Sequence, residues 1–152
     1  MTIPLISEFY KLKERLKEGD TYKSKPEIPA GIVRDLPEKG FKIKRVLADS
    51  EYGESEGNFL SVFEELGREY AVAIRSNHSL LMGPGQRVRR NRWHIFDRIH
   101  SDGEREKRYI REIIWGKRRK LRYWEITTDK ETISEETTWY VMTRIECLSG
   151  VC

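Results

Sequence analysis

The chain has 152 residues, of which 36% are charged, with a net charge of +4 and a mean hydropathy of −0.70. This is enough material for one domain with its own core, and no apolar run approaches the ~18 residues needed to cross a bilayer. Residues 1–7 lack the basic start and long apolar stretch of a secretory signal, so we expect a cytoplasmic protein. The two cysteines, Cys147 and Cys152, have no partnering histidines and do not form a structural zinc site.

The basic charge is concentrated in one segment. Between Arg87 and Arg122 there are 14 lysines and arginines against 5 acidic residues, a local charge of +9, so the remainder of the chain carries −5. Such a segment is typical of a surface that binds a polyanion, most simply DNA or RNA. The alternative is the solvated face of an ordinary basic protein.

The first 40 residues predict one strand and one helix. Residues 3–12 could form a strand, and Pro4 restricts it to a sheet edge or to the start of a strand. Ser24 and Glu27 have the spacing of a capping box, and an apolar stripe follows them, which indicates a helix that ends before Gly40. Pro29 and Gly31 oppose this helix, so we expect it to be kinked or frayed.

A βαβ unit is predicted over residues 42–75. The unbroken apolar run at 46–48 is typical of a parallel strand that is covered on both faces. A helix follows from about residue 55 to 66, with an apolar stripe, and residues 70–74 form a second apolar strand. The two strands are therefore expected to be parallel.

Asp49 ends the first strand of this unit. Ligands of open α/β sheets lie at the carboxyl ends of strands, where an aspartate can hold a metal ion. Aspartate is also common there because its side chain bonds backbone N–H groups in a turn. The residues alone leave both roles open.

An antiparallel meander is predicted after residue 76. Four runs with strand patterns cover 91–99, 106–115, 120–129 and 137–145. The Asp102-Gly103 pair predicts a hairpin, and Gly116 supplies another turn. Alternation predicts a basic face and an aromatic face. The aromatic residues fit core or cross-strand packing better than base stacking; they are Trp93, Trp115, Tyr123, Trp124, Trp139 and Tyr140.

The order of these segments resembles a family of bacterial, especially cyanobacterial, insertion-sequence transposases. These enzymes have an RNase H-like catalytic domain of the DDE superfamily. The resemblance extends from residue 3 to about 145, and its clearest blocks are 16–23, 46–55, 73–78, 85–89, 108–114, 123–129 and 138–143.

The resemblance implies an α/β fold with three parts. Residues 1–75 would be a partial RNase H-like core, residues 76–145 a basic antiparallel β insertion, and residues 146–152 a divergent tail. Asp49 would be the second aspartate of a triad that holds two Mg²⁺ ions.

Two members of that triad have no counterpart in the chain. The first aspartate belongs on a strand upstream of Met1, and no stretch fits the family's Tyr-x-x-Arg-x-x-x-Glu-x(6)-Lys pattern. Glu112 and Glu125 lie within predicted strands and are poor substitutes. We therefore expect a transposase fragment, ended by a frameshift or a premature stop, that is inactive alone. Its Asp49 strand would then have an open edge.

DNA is the expected partner, and full-length transposase is a second possible one. His78 has no second ligand at a useful spacing, so we interpret it as a loop residue or phosphate contact. The expected DNA-binding residues are Arg75, His78, Arg87, Arg89, Arg90, Lys117, Arg118 and Arg119. The alternative function is a basic DNA-binding module without catalysis.

Overall fold

The protein is an α/β structure built on one mixed sheet. The structure is a computed structural model that describes residues 6–53, 55–78, 80–117 and 120–145. In this part of the chain, seven strands form one sheet in the order β1-β2-β7-β6-β5-β3, and β4 also pairs with β5. The strands are β1 (Arg45–Ala48), β2 (Glu69–Ile74), β3 (Val88–Arg90), β4 (His94–Ile99), β5 (Arg105–Trp115), β6 (Leu121–Thr127) and β7 (Thr138–Arg144). The helices are α1 (Glu27–Asp35), α2 (Ser50–Gly53) and α3 (Ser61–Glu65).

The N-terminal segment differs from the expectation. Residues 6–12 contain no strand, and a single 3₁₀ turn follows at Lys13–Arg15; the rest of the predicted strand lies outside the described residues. Helix α1 forms where the capping box predicts it, and the Glu27 carboxylate accepts a hydrogen bond from the Ser24 N–H at 2.6 Å. Pro29 is tolerated because it lies in the first turn, where a backbone N–H has no helical partner.

The parallel pair is confirmed. β1 and β2 run parallel, with Val46 opposite Tyr70 and Ala48 opposite Val72. The prediction that β1 is covered on both faces is wrong, because Leu47 is 76% exposed while Val46 and Ala48 pack against the core. β1 lies at the end of the strand order, so its second edge has no strand beside it in the described chain.

The predicted helix 55–66 is divided into two parts. A π-type turn at Glu56–Leu60 precedes α3, and the Ser55 carbonyl accepts hydrogen bonds from the N–H groups of Phe59 and Leu60 at 3.0 and 3.2 Å. This wider turn places two consecutive residues, Phe59 and Leu60, in the core, since both are buried. A regular α-helix would have separated them by about 100° around its axis.

The core lies between these helices and one face of the sheet. Its aromatic rings are in series: Phe59 meets Phe63 edge to face at 4.8 Å between centroids, and Phe63 meets Tyr70 at 5.7 Å. Phe63 and Val72 are fully buried. Arg144 on β7 forms an ion pair with Glu64 of α3. This ion pair connects the meander to the helices.

The predicted antiparallel meander is also confirmed. β7 pairs with β6 and β6 with β5, and the hairpin predicted at Asp102-Gly103 joins β4 to β5. β3 was not predicted. It continues into β4 along the same edge of β5, but Arg90 is opposite Ile113 whereas His94 is opposite Ile110. The outer strand therefore has one extra residue, which is a β-bulge.

The sheet is continuous from the parallel pair into the meander. β2 pairs with β7 over five residues, from Tyr70 opposite Arg144 to Ile74 opposite Tyr140. Across the described residues, none of the helices has both the length and the apolar character needed to cross a membrane.

Candidate nucleic-acid interface

Asp49 lies at the exposed end of β1 and begins a tight turn. Its carboxylate Oδ1 accepts a hydrogen bond from the Glu51 N–H at 3.0 Å. Its backbone carbonyl accepts from the N–H groups of Tyr52 and Gly53 at 3.3 and 3.0 Å. Asp49 therefore caps α2, which is the turn role that aspartate commonly has after a strand.

Gly53 holds this turn against the neighbouring strand. A Cβ atom at Gly53 would lie 2.2 Å from the carbonyl oxygen of Ala73 on β2. Only glycine permits this approach of backbone to backbone. The Asp49 turn and the residues that follow β2 consequently lie together at the carboxyl ends of β1 and β2.

A cleft of about 560 Å³ opens beside the carboxyl ends of these two strands. Ser76, in the loop after β2, donates a hydrogen bond from Oγ to Oε1 of Glu135 at 3.1 Å, and both residues line the cleft. Glu135 precedes β7 and is 59 residues away in sequence. Sequence reasoning missed Glu135, because nothing in the local pattern around it indicates that β7 pairs with β2.

The residues at this edge do not by themselves fit a two-ion metal centre. Among the described residues, no group of three or more histidine, cysteine, aspartate or glutamate side chains could hold a metal ion. A pair of divalent ions needs several hard oxygen ligands, and Asp49 supplies one carboxylate.

Glu112 and Glu125, the two glutamates considered as substitutes for the triad, have structural roles. Glu125 is 2% exposed and its carboxylate forms an ion pair with Arg111. Burial raises the pKa of the Tyr140 hydroxyl, and the nearby Glu125 carboxylate raises it further, so the phenol remains protonated and donates to Glu125 at 3.4 Å. Glu112 accepts a hydrogen bond from Asn91 Nδ2 at 3.1 Å across the bulge.

Three of the predicted DNA-binding residues lie at one turn. There, residues 87–89 run beside Gly116, which follows the end of β5. Arg87 accepts a hydrogen bond at its carbonyl from the Gly116 N–H at 3.1 Å, and Arg89 donates from its guanidinium to the Gly116 carbonyl at 3.2 Å. Gly116 has φ +68°, a backbone conformation that favours glycine. Lys117 is next in sequence, and all three cations are exposed. We call Arg87, Arg89 and Lys117 the basic edge; Arg118 and Arg119 lie outside the described residues.

The other three predicted contacts meet at a small pocket. Arg75, His78 and Arg90 line a cavity of about 130 Å³ together with Tyr123 and Tyr140. The His78 ring lies 6.3 Å from the ring of Tyr123. Residues from the loop after β2 and from β3 are therefore brought together beside the basic edge, although the sequence separates them.

The predicted division into a basic face and an aromatic face is wrong. Arg108 and Arg111 are three residues apart on β5, so they point to opposite faces of the sheet. The Arg108 guanidinium lies 4.5 Å from the ring centre of Trp139, and that of Arg111 lies 4.0 Å from the ring centre of Trp93. Each face therefore carries both cations and aromatic rings, and the cations stack on the rings.

Comparison with known proteins confirms the resemblance to insertion-sequence transposases. The chain is 54% identical over 144 residues to the probable transposase for insertion sequence element IS701 of Microchaete diplosiphon. The match covers 95% of this chain and 38% of that relative, so the chain spans well under half of the relative's length. No protein-family model and no solved structure matches the chain.

Proposed function

We propose that this chain is part of a DDE transposase with an RNase H-like core, and that it contributes DNA binding to transposition. The identity to an insertion-sequence transposase supports the role in transposition. The parallel pair β1–β2, with Asp49 at its carboxyl end, is compatible with a partial RNase H-like core. A bacterial transposase meets its DNA in the cytoplasm, where we place this protein.

The observation that carries DNA binding is the basic edge. Arg87, Arg89 and Lys117 are separated in sequence, yet the Gly116 turn holds them side by side and exposed. Lysine and arginine side chains that neutralise phosphates release counterions from DNA, so the affinity falls steeply with salt. Such contacts position a protein on a duplex without reading its sequence.

The experiment is a salt titration of duplex binding, measured by fluorescence anisotropy. Changing Arg87, Arg89 and Lys117 to Gln should reduce the slope of log affinity against log salt by about 0.9 for each lost phosphate contact, or about 2.7 for three. The matched control changes three exposed lysines far from this turn to Gln and alters the net charge equally; they are Lys39, Lys42 and Lys44. Equal losses in both triple variants would show that net charge, not the basic edge, drives binding.

We further propose that the chain does not cleave or join DNA alone. Intact relatives would hold Mg²⁺ with a triad to which Asp49 contributes one carboxylate. Purified chain incubated with supercoiled plasmid and Mg²⁺ or Mn²⁺ should leave the plasmid intact. Nicking that disappears in Asp49→Asn would refute this expectation and show that a complete site forms.

The second candidate is a non-catalytic DNA-binding module. It is favoured by the role of the Asp49 carboxylate in capping α2, which requires no metal. Such a module would occupy transposon ends and compete with full-length transposase. The two candidates are distinguished by adding the chain to a transposition assay of the related full-length enzyme. A competing module should inhibit transposition, and the basic-edge triple variant should not.

A further inference from the structure

The sheet has two unlike faces. The helices and the π-type turn pack on the face that carries Val72 and Met142. Residues that alternate with these point to the other face, which no helix of the described chain covers. There, Trp139 is 41% exposed and Phe96 is 38% exposed. Both rings are therefore accessible to a planar ligand.

Trp139 and Phe96 flank an arginine on this face. Phe96 is directly opposite Arg108 in the β4–β5 pair, and the Arg108 guanidinium stacks on Trp139. The Glu106 carboxylate accepts a hydrogen bond from Arg108 Nε at 2.6 Å, which fixes the guanidinium, and this bond lowers the pKa of Glu106. The planar groups are thereby held without a bound partner. We call Phe96, Arg108 and Trp139 the stacking platform.

The dimensions of the platform suit an extended strand. Phe96 on β4 and Trp139 on β7 are three strand spacings of about 4.8 Å apart, and the register shifts Phe96 by two residues along the strands. At about 3.3 Å per residue, the two positions are roughly 16 Å apart. Two bases can therefore stack on the two rings at once, with the backbone crossing the strands between them. Sheets that present aromatic side chains in this way bind unpaired bases of nucleic acids.

The charges around the platform favour a polyanion. Within β4, β5 and β6, the register places three arginines on this face, apart from the basic edge: Arg98, Arg108 and Arg122. The acids of the same three strands on this face are Glu106 and Glu112, which bond to Arg108 and Asn91. A second copy docked face to face would oppose cations to cations, which is unfavourable. An apolar protein partner would have to bury the exposed Arg98 and the half-buried Arg122.

We infer that this open face of the meander binds single-stranded nucleic acid, with bases stacked on Trp139 and Phe96 and phosphates near Arg98 and Arg122. This site goes beyond the proposed duplex contact. It uses the open face, whereas the basic edge lies around the Gly116 turn. Base stacking is nearly independent of sequence, because every base has a flat aromatic face. The site is therefore expected to accept an unpaired strand of any sequence.

The test measures binding of the full chain to labelled 15-residue oligothymidine, oligouridine and a blunt duplex of the same length by fluorescence anisotropy. Trp139→Ala should weaken oligothymidine binding by about 5- to 150-fold, the loss expected for one stacked base. Trp139→Phe keeps a ring and should recover most of the affinity. Duplex affinity should change little in both variants. Circular dichroism and thermal melting check that each variant is folded.

The outcomes separate this site from the proposed duplex contact. The basic-edge triple variant should lose duplex binding and keep most of its oligothymidine affinity. If instead it keeps duplex binding, the proposed function fails while the stacking platform stands. Equal oligothymidine affinity of Trp139→Ala and the unaltered chain overturns the inference. So does a dimer that Trp139→Ala dissociates, since the face would then bind a second copy. Comparison of oligothymidine with oligouridine shows whether DNA or RNA is preferred.

Discussion

The contact between Gly53 and β2 makes a sharp prediction for the stability of the whole α/β unit. In Gly53→Ala the new Cβ would lie 2.2 Å from the Ala73 carbonyl oxygen, 3.3 Å from its carbonyl carbon and 3.4 Å from the Val72 Cβ. Carbon and carbonyl oxygen approach normally to about 3.3 Å, so α2 must retreat from β2 by roughly 1 Å. Overpacking of this kind costs about 1–3 kcal/mol in the free energy of unfolding.

Urea denaturation followed by circular dichroism measures this loss. A chain of this size should also melt about 2–4 °C lower for each kcal/mol lost. Gly31→Ala is the matched control, because Gly31 lies inside α1 with nothing within 4 Å of its added Cβ. That substitution should stabilise the protein by about 0.5–1 kcal/mol, since alanine favours the helix. If Gly53→Ala and Gly31→Ala both stabilise, the close approach of α2 to β2 does not exist in solution.

Three further experiments test the core and the electrostatics. Glu125→Gln leaves the largely buried Arg111 guanidinium without its anion and should cost about 3–5 kcal/mol in urea denaturation; adding Arg111→Met should recover part of this loss, and no recovery would contradict the ion pair. Phe63→Ala removes a fully buried ring and should cost about 3–5 kcal/mol by the same measurement, whereas a cost below 1 kcal/mol would show that the aromatic series is loosely packed. The hydrogen bond from Lys11 lowers the pKa of the Asp20 carboxyl below its ordinary 3.8. A carboxyl group with a lowered pKa stabilises the folded state at any pH above its ordinary pKa. This contribution to stability is lost as the pH falls through the lowered pKa. The Lys11→Met substitution should raise the pKa of Asp20, which an NMR titration measures. An unchanged pKa would rule out the ion pair between Lys11 and Asp20.

The strands of the meander were predictable because their signals are local. Alternation along β5 and β6 and the Asp102-Gly103 turn indicated the same hairpins that the structure contains. β3 was missed because it has three residues and is followed by a bulge, which interrupts the alternation. The helix predicted over 55–66 corresponds to the π-type turn Glu56–Leu60 and α3, whereas α2 at Ser50–Gly53 was predicted only as a turn.

The candidate site was predicted only in part. The sequence predicted the basic residues from a segment rich in lysine and arginine. The structure shows that they lie in two places, the basic edge and the pocket around His78. The partnership of Ser76 with Glu135 could not be predicted, because it joins loops 59 residues apart. Trp139 was predicted to be a packing residue; its exposure depends on which face of the sheet the helices cover.

By itself, the amino-acid order determined a parallel pair that ends in Asp49, a basic meander and the positions of the turns. These features depend on residues within a few positions of one another, where side-chain alternation and turn chemistry act directly. The tertiary structure alone decided that β2 pairs with β7 and that the helices cover one face, leaving Leu47 and Trp139 exposed. Such contacts join distant segments, and their free energy depends on how the whole chain packs, so no local pattern contains them.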